Sequence, residues 1–363
     1  MADIVITDTT GGYDGRDLET RPLGGTETSV IRLARELVRR NHRVTVFSNC
    51  AAPVEDHGVQ WRPVTSERPE TCDLYVACQH PRLLSFVKRP KRLAVWVLWQ
   101  PNHLKHYKQI GKVWWHRPIP VLQSLHQVRI YSPFLPRRNP HILIPLALGD
   151  DVRGFAPLSA PPPRRAIFAS NPQRNLRRLV EIWGESILPR VPDAVLDVFG
   201  VHQTPPGVDP WDEWAGSLLP ANPSPALRAS VRVHPTVSRE TLIGEMRGSR
   251  VMLYLGHKVE AFCLAVGEAQ ALGVPAVVAP VAAVPERVLD GITGFHEADP
   301  ARFAERAVAL LTDDDLWRRQ HEAALRHQQG ISWSEYAGRF EAALLADRFP
   351  ITRSVLDVPP PMA

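Results

Sequence analysis

The chain has 363 residues, of which 44% are hydrophobic and 22% are charged, which is the composition of a soluble globular protein with room for two domains. No run approaches the roughly 18 apolar residues that a membrane-spanning helix needs, and the start MADIVITDTT lacks the basic and apolar regions of a signal peptide. The net charge of +5 is uneven, because residues 1–155 carry 22 Lys and Arg against 14 Asp and Glu, whereas the remainder carries 21 against 24. The basic first part indicates an anionic partner or a membrane surface.

The first 155 residues show a strand, a helix and another strand in succession. DIVIT (Asp3–Thr7) predicts a short buried strand, TETSVIRLARELVRR predicts a helix because its apolar residues recur at helical spacing, and RVTVFS predicts the next strand. Such a unit implies a parallel sheet with a right-handed crossover. Further strands are predicted at DLYVA, RLAVWVLW, VRIYS and ILIPLAL.

A proline-rich segment, FAPLSAPPPRR (155–165), is typical of a linker, and the α/β pattern begins again after it. Strands are predicted at RAIFAS, AVLDVFG, RVMLYL and PAVVA, and helices at NLRRLVEIWGESIL, SRETLIGEMRGS, PARFAERAVALLT and DDDLWRRQHEAALRH. SWSEYAGRFEAALLADRF starts with the capping box Ser332-x-x-Glu335 and predicts a final helix, and the tail DVPPPMA is predicted to be disordered. The pattern predicts two doubly wound α/β domains joined by a linker, with helices last.

Two carboxylates, Glu260 and Glu268, lie in the otherwise apolar segment HKVEAFCLAVGEAQALGVPAVVAP (257–280). A buried carboxylate without a partner is strongly disfavoured, so each of them needs one. A helix is predicted from about Phe262 to Gly273, and it follows the carboxyl end of a strand, where open α/β sheets bind ligands. The N–H groups at the helix start favour a phosphate, and sugar hydroxyls can donate to both carboxylates. The segment therefore predicts a bound nucleotide-diphosphate sugar.

Glu260-x7-Glu268, within EAFCLAVGEAQALGVPAVV, resembles the signature of the retaining GT-B glycosyltransferases of family 4, the glycosyl transferases group 1. Four other segments resemble that family's glycine-rich loop, hinge, phosphate turn and closing helix, and they occur in the family's order: LGGTETSVIRLARELVRRNHRVTVFS, ILIPLALGDDVRGF, FASNPQRNLRRLVEIW and ISWSEYAGRF. The resemblance implies two Rossmann-like domains facing across a cleft. It implies an acceptor-side domain over 1–155, a nucleotide-sugar-binding domain over 156–331, a helix within 332–350 that returns to the first domain, and a flexible tail over 351–363.

The resemblance also implies roles for the matching residues. Glu260 would bind hydroxyls of the donor sugar, Glu268 would bind the ribose, and Arg174 would hold the diphosphate from the phosphate turn. The further donor-binding positions, which would act through backbone or polar groups, are Gly24, Gly25, Asn171, His234, Ala261, Phe262, Cys263 and Leu264. Glycines suit a close approach of the backbone to the diphosphate.

Two positions depart from the family pattern. Many members carry an arginine five residues before the basic residue of the phosphate turn, and that position is Ala169 here, so Lys258 is the candidate replacement for the missing charge. Many members also carry a His-Asp pair after the strand that matches RLAVWVLW. The sequence there is WQPNH, which leaves Gln100 or His103 on the acceptor side, or no such group.

The sequence contains no DxD triplet suited to Mg²⁺ or Mn²⁺, in agreement with the family's usual independence of metals. The resemblance implies no cofactor beyond the nucleotide-sugar co-substrate. Glu260, Arg174 and Lys258 would form the catalytic set, with the leaving-group charge held by Arg174 and the helix start as preorganised electrostatics. The resemblance implies retention by front-face substitution, without a covalent intermediate.

Each candidate also has an ordinary structural interpretation. Glu260 and Glu268 would be helix-end acids paired with Arg or Lys, Arg174 a solvated residue, and the glycine pair a simple turn. For Cys263 the ordinary interpretation, a buried small hydrophobic residue, is preferred to a nucleophile, because no base is evident beside it.

The segment KRPKRLAVWVLWQPNHLKHYKQIGKVWWHR (88–117) mixes basic residues with four tryptophans. One interpretation is a patch that contacts an anionic membrane or an anionic acceptor. The preferred one is a core strand followed by an exposed basic helix. Nucleic-acid binding is disfavoured, because no recognised module is present and the second part of the chain is acidic.

The sequence thus predicts a metal-independent, retaining glycosyltransferase that moves a hexose from a nucleotide-diphosphate sugar to a hydroxyl of a glycan or lipid-linked glycan. A nucleotide-sugar epimerase of the same fold and a non-catalytic nucleotide-sugar binder are the alternatives. An NAD-dependent Rossmann enzyme is rejected, because the first glycine loop lacks GxGxxG and the second strand ends in Ser48-Asn49 rather than in an acid. Four cysteines without a CxxC pair favour a reducing compartment, so we expect a cytoplasmic protein, free or peripheral at the inner face of the membrane.

Overall fold

The computed structural model describes residues 1–136, 142–200, 208–328 and 330–346. The chain divides into two compact units, the first made of Met1–Ala147 and the segment from Ile331 onward, the second of Leu148–Gly330. The tail over 351–363, which the sequence predicts to be disordered, lies outside the described residues.

The first unit is built on one sheet with helices around it. Its described elements are β1 (Asp3–Thr7), α1 (Asp17–Thr20), α2 (Gly25–Arg39), β2 (Arg43–Ser48), β3 (Val54–Asp56), β4 (Val59–Pro63), β5 (Thr71–Cys78), β6 (Arg89–Trp96), α3 (Ile110–His116), β7 (Ile119–Leu122), α4 (Leu125–Ile130) and β8 (Ile142–Leu143). The strand order is β3-β4-β2-β1-β5-β6-β7-β8, and within the described pairings β3 runs antiparallel to β4 while the others are parallel. Ile4, Val5 and Ile6 on β1 are all buried, as expected for a parallel strand that is covered on both faces.

The second unit contains one parallel sheet and the remaining helices. Its described elements are β9 (Arg165–Ala169), α5 (Leu176–Ile182), β10 (Val195–Phe199), α6 (Pro210–Trp214), α7 (Pro225–Ser230), β11 (Val231–His234), α8 (Arg239–Arg247), β12 (Val251–Tyr254), α9 (Leu264–Ala271), β13 (Ala276–Val278), β14 (Gly294–His296), α10 (Pro300–Thr312) and α11 (Asp314–His327). The strand order is β11-β10-β9-β12-β13-β14. All of the described pairings in this sheet are parallel, so the carboxyl ends of its strands meet at one edge.

The final helix, α12 (Trp333–Leu344), belongs to the first unit. The serine half of its capping box is confirmed, because the Ser332 hydroxyl accepts a hydrogen bond of 3.0 Å from the Glu335 N–H, while the Glu335 carboxylate accepts from Arg339 at 2.6 Å. Tyr336 and Phe340 pack on Trp96 of β6, with ring centroids 6.0 and 6.1 Å apart. The helix therefore completes the hydrophobic core of the sheet that forms at the other end of the chain.

Two strands predicted for the first unit are wrong in part. The segment VRIYS lies largely in α4, because the Ser124 side chain caps a helix there by accepting from the Gln127 N–H at 3.2 Å. ILIPLAL forms a strand only at Ile142–Leu143, since Pro145 has no N–H to donate to a sheet. The short strands β3, β4 and β7 are not predicted by the apolar pattern.

Residues 148–155 lie in the second unit, although the proline-rich segment predicted a boundary after residue 155. Leu148 lies close to Gly267 of α9, Asp151 forms an ion pair of 2.8 Å with Arg239, and the guanidinium of Arg247 lies 4.5 Å above the ring of Phe155. These contacts attach the segment to the second unit. The structural boundaries therefore fall after residues 147 and 330, instead of after 155 and 331.

Candidate functional site

Two loops lie at the carboxyl edge of the second sheet, after the neighbouring strands β9 and β12. In the first loop the Arg174 N–H donates to the Asn171 carbonyl at 2.8 Å and closes a tight turn. Asn175 follows in the left-handed conformation with φ 64°, and its side chain donates to the Gly256 carbonyl of the second loop at 2.6 Å. This bond ties the two loops together, so Asn171 and Arg174 are held beside the loop that contains Glu260.

Glu260 is buried in the second loop, at 7% exposure, and Tyr254 and Arg174 are among its partners. The Tyr254 hydroxyl donates to Oε1 at 2.6 Å, and Arg174 Nη1 lies 3.4 Å from the same oxygen. Burial, and then the neighbouring Cys263 and Glu260, raise the pKa of Tyr254, so its hydroxyl stays protonated and continues to donate. A buried carboxylate is thereby held in place by one neutral donor and one cation.

Tyr254 is a residue that the sequence reasoning missed. It ends β12, and its hydroxyl also lies 3.4 Å from the Ser170 hydroxyl at the end of β9. The available signal was a phenol at the end of the apolar run RVMLYL, since a buried Tyr hydroxyl needs a hydrogen-bond partner. Ser170, Tyr254, Glu260 and Arg174 therefore form one connected group, here called the Glu260 cluster.

Helix α9 begins at Leu264 rather than near Phe262, because Cys263 adopts a left-handed conformation, with φ 64° and ψ 66°, that is incompatible with a helix. Ala261, Phe262 and Cys263 thus form the turn before the helix, and all three are buried. Burial, and then Glu260, raise the pKa of the Cys263 thiol, which keeps it protonated. This agrees with the preferred interpretation of Cys263 as a buried apolar residue.

Glu268 has an arginine partner, which is the ordinary interpretation of that residue. Arg239 at the start of α8 donates to both carboxylate oxygens, at 2.7 and 2.9 Å, and also forms an ion pair with Asp151. Burial would lower the pKa of Arg239, but Glu268 and Asp151 outweigh it and raise the pKa. A two-pronged arginine contact still leaves carboxylate lone pairs for hydroxyl donors, so the ribose role of Glu268 stays a prediction.

His234 and Lys258 are placed differently from each other. His234 ends β11, stacks on Phe199 with ring centroids 4.3 Å apart, and contacts Asp197 Oδ1 at 2.7 Å. Its imidazole is therefore oriented by an acid that is fully buried in β10. Lys258 is exposed in the loop before Glu260, and its role as a replacement cation stays a prediction.

Gly24 and Gly25 begin helix α2, with Gly24 as the residue before its first turn. Gly24 has φ −71°, so it is not needed for a left-handed backbone. A Cβ at Gly24 would lie 2.6 Å from Glu27 Oε2, so the glycine makes room for this side chain. Burial raises the pKa of Glu27. The close approach of Gly24 and Gly25 to a diphosphate stays a prediction.

Gln100 and His103 lie in the loop after β6, where the family's His-Asp pair is absent. The two ring nitrogens of His103 face the main-chain carbonyls of Gln100 and Gln79. The imidazole therefore connects the loop after β6 to the segment after β5. Burial lowers the pKa of His103. The Gln100 side chain lies 3.3 Å from His126 Nε2. His80, which the sequence reasoning missed, packs edge-on against Trp99 at this same edge.

The described part of the chain contains neither a cluster of metal-ligating side chains nor a membrane-spanning helix. It has no group of three or more His, Cys, Asp or Glu residues that could hold a metal ion. None of its helices is both long and apolar enough to cross a membrane.

Residues 223–327 match the model of the glycosyl transferases group 1. Over these residues the chain is similar to the glycosyl transferases group 1. The matched range contains Tyr254, Glu260, Glu268 and Arg239, so it confirms the family resemblance of the second unit.

Sequence relatives share a limited part of this chain. The D-inositol 3-phosphate glycosyltransferase of Streptomyces coelicolor is 37% identical over 109 residues, which are 30% of this chain and 24% of that protein. The D-inositol 3-phosphate glycosyltransferase of Thermobifida fusca is 32% identical over 105 residues, 28% of this chain and 24% of that protein. The matches thus span about a quarter of the length of these relatives.

Solved structures of similar fold cover most of the chain. Sucrose-phosphate synthase from Thermosynechococcus elongatus matches with a TM-score of 0.69 at 13% identity, over 94% of this chain and 97% of that one. Anabaena HepE in complex with UDP-glucose matches with a TM-score of 0.67 at 14% identity, over 94% of this chain and 99% of that one. These likenesses confirm the predicted fold class, GT-B with two Rossmann-like α/β domains.

Proposed function

We propose that the protein is a retaining glycosyltransferase that moves a hexose from a nucleotide-diphosphate sugar to a hydroxyl of a glycan or lipid-linked glycan. The observation that carries the proposal is the Glu260 cluster at the carboxyl edge of a sheet, where Tyr254 and Glu260 lie within the family-matched range. Glu260 is oriented by Tyr254 and lies 3.4 Å from Arg174, so an acceptor for sugar hydroxyls stands beside a cation for a phosphate.

The chemistry follows from where charge develops. When the bond between the anomeric carbon and the phosphate oxygen breaks, negative charge builds on the departing diphosphate, and Arg174 and the N–H groups that begin α9 would stabilise it. Lys258 would supply a second cation. It would replace the arginine that many family members carry at the position of Ala169. We propose that these groups do this without a metal ion or a cofactor. The acceptor hydroxyl attacks from the face that the leaving group vacates, and as the new C–O bond forms its proton passes to the departing diphosphate oxygen.

The donor is proposed to be a nucleotide-diphosphate hexose. HepE, which shares this fold, was solved with UDP-glucose, and that makes UDP-glucose the first compound to test. Glu268 would accept from the ribose while Arg239 holds its position. The imidazole of His234 stacks on Phe199 and is oriented by Asp197. It is proposed to contact the nucleotide base of the donor.

A panel of nucleotide-diphosphate sugars tests the proposal by thermal shift and by release of the nucleotide. Substitution Glu260→Ala should abolish release, whereas Glu240→Ala, which removes an exposed acid on α8, should leave it unchanged. If no compound of the panel binds or is consumed, the proposal is wrong. Isomerised donor in the absence of an acceptor, seen by NMR of the sugar, would identify an epimerase instead.

A non-catalytic nucleotide-sugar binder is the second candidate. It is favoured by Ala169 at the family's arginine position and by His103, whose ring nitrogens both face main-chain carbonyls. It predicts thermal shift with a nucleotide sugar but no release of nucleotide with any acceptor.

A further inference from the structure

One surface of the first unit combines exposed aromatic side chains with lysines. It is here called the aromatic–basic surface and consists of Lys105, Tyr107, Lys108, Lys112, Trp114, Trp115 and Phe134. The four aromatic side chains are 75%, 47%, 85% and 74% exposed in chain order. The indole N–H of Trp114 donates to the Phe134 carbonyl at 2.9 Å, so helix α3 and the loop after α4 contribute to one surface.

The charge on this surface has no acidic counterpart nearby in the chain. Between Asp73 and Asp150 the sequence contains no Asp or Glu and twelve Lys and Arg. Lys88 and Lys91, at the start of this stretch, are neutralised by Glu70 and by Asp73. In the described ranges, Lys105, Lys108 and Lys112 form no ion pair and all three are exposed. Their positive charge therefore faces solvent.

The aromatic side chains are not needed to anchor the helix that carries them. Val113 of α3 and Leu104 before it are both buried and attach this region to the core. Trp114 and Trp115 leave the same helix toward solvent, although large apolar side chains in water are costly. A surface of this kind marks a site of contact.

We propose that the aromatic–basic surface binds an anionic lipid bilayer, with Trp115 and Phe134 at the interface and the lysines at the headgroups. Trp and Tyr side chains concentrate at membrane interfaces, and lysines beside them are attracted to anionic lipids. A nucleic-acid duplex, whose bases are already stacked, would use the lysines through its phosphates but would leave Trp115 and Phe134 in water. Because the aromatic residues are part of the surface, a bilayer fits it better.

Sedimentation of the full chain with lipid vesicles tests this proposal, without any nucleotide sugar. We expect binding to vesicles of phosphatidylcholine with phosphatidylglycerol, no binding to phosphatidylcholine alone, and weaker binding as salt is added. Each lysine near an anionic surface contributes about fivefold to binding, so Lys105→Gln, Lys108→Gln and Lys112→Gln together should weaken it about 100-fold. The pair Trp115→Ser and Phe134→Ser should weaken it by at least about tenfold.

Control variants show whether vesicle binding depends on the aromatic–basic surface itself or only on the protein's overall charge and exposed apolar residues. Arg190→Gln, Arg302→Gln and Arg319→Gln remove the same charge from exposed positions of the second unit, and Ile292→Ser removes an apolar side chain that is 52% exposed there. These variants should bind vesicles like the unaltered protein. Equal loss in the control and test sets would overturn the proposal, and so would tight binding to DNA that the aromatic substitutions do not weaken. Nucleotide release in vesicle-free solution reports on the proposed function separately, so failure of one proposal does not conceal the other.

Discussion

Tyr254 donates a hydrogen bond of 2.6 Å to Glu260, and the two residues connect the end of strand β12 to the loop before helix α9. The proposed function gives this bond a consequence. A carboxylate that binds a sugar hydroxyl must be fixed in rotamer, and a neutral phenol does this without cancelling the charge of the carboxylate. We therefore predict that Tyr254 positions Glu260 in the proposed donor site.

Substitution Tyr254→Phe should reduce kcat/KM for donor turnover by roughly 10- to 100-fold, because a hydrogen bond to a charged group contributes about 1.5–3 kcal/mol. Tyr75→Phe is a matched control, since the Tyr75 hydroxyl donates to the Leu83 carbonyl at 2.7 Å in the first unit, far along the chain from Glu260. It should cost stability without this loss of turnover. Equal kcat/KM for the two variants would remove Tyr254 from the site.

Because Arg239 and Glu268 contact each other, substitutions of the two residues should have non-additive effects on the free energy of unfolding. Arg239→Ala and Glu268→Ala should each destabilise the protein, and the double variant should show a coupling of about 1–2 kcal/mol, discounted because both side chains are partly exposed. Urea unfolding of the four proteins measures this. The exposed pair Arg318 and Asp315 is the control, and its coupling should be at most about 0.5 kcal/mol. A coupling near zero for Arg239 and Glu268 would contradict their two-pronged contact.

The lowered pKa of Asp197 predicts that the protein loses stability in acid. Burial would raise the pKa of Asp197, but the bonds from His234 at 2.7 Å and Arg165 at 2.8 Å outweigh it and lower the pKa below the usual range. A folded-state pKa below the unfolded value of about 3.9 stabilises the protein above that pH, and this contribution is lost as the pH falls through the folded pKa. Asp197→Asn should therefore be less stable at neutral pH and should unfold with a flatter acid dependence.

Urea unfolding from neutral pH down to about pH 3, the region of the unfolded-state pKa, checks this prediction. Asp193→Asn is its control, because Asp193 is an exposed partner of Arg164 and should leave the acid dependence as it is. An Asp197→Asn profile that runs parallel to that of the unaltered protein would show that Asp197 is not the group that titrates.

Gly273 follows helix α9 and has a left-handed φ of +79°. A Cβ added there would lie 2.6 Å from the ring of His321. Gly291 has a similar φ of +74° with no atom within 4 Å of such a Cβ. Gly291→Ala should thus cost only the backbone penalty of about 1 kcal/mol, whereas Gly273→Ala should cost about 2–4 kcal/mol, because His321 must also move. Thermal and urea unfolding of both variants compare the two costs. Equal losses would mean that His321 moves without strain.

Much of the fold follows from local pattern. The helical spacing in TETSVIRLARELVRR and the Ser332-x-x-Glu335 box predict α2 and α12, because amphipathic periodicity and capping involve neighbours in the chain. VRIYS shows the limit of this reasoning. Its β-branched and aromatic residues favour a strand, but the Ser124 cap and the bonds of Gln127 to the main chain beside β6 place most of it in a helix.

The sequence by itself determined the α/β class, the family resemblance and the positions of Glu260, Arg174 and Glu268. Only the tertiary structure decided which groups these residues touch. Arg174 lies near Glu260 because β9 and β12 are neighbours, and Arg239 contacts Glu268 from 29 positions away because α8 begins beside α9. The exposure of Trp115 was likewise undetermined, since an apolar residue carries no local sign of whether the chain will cover it. Partners depend on the packing of distant segments, and neither spacing nor composition encodes that packing.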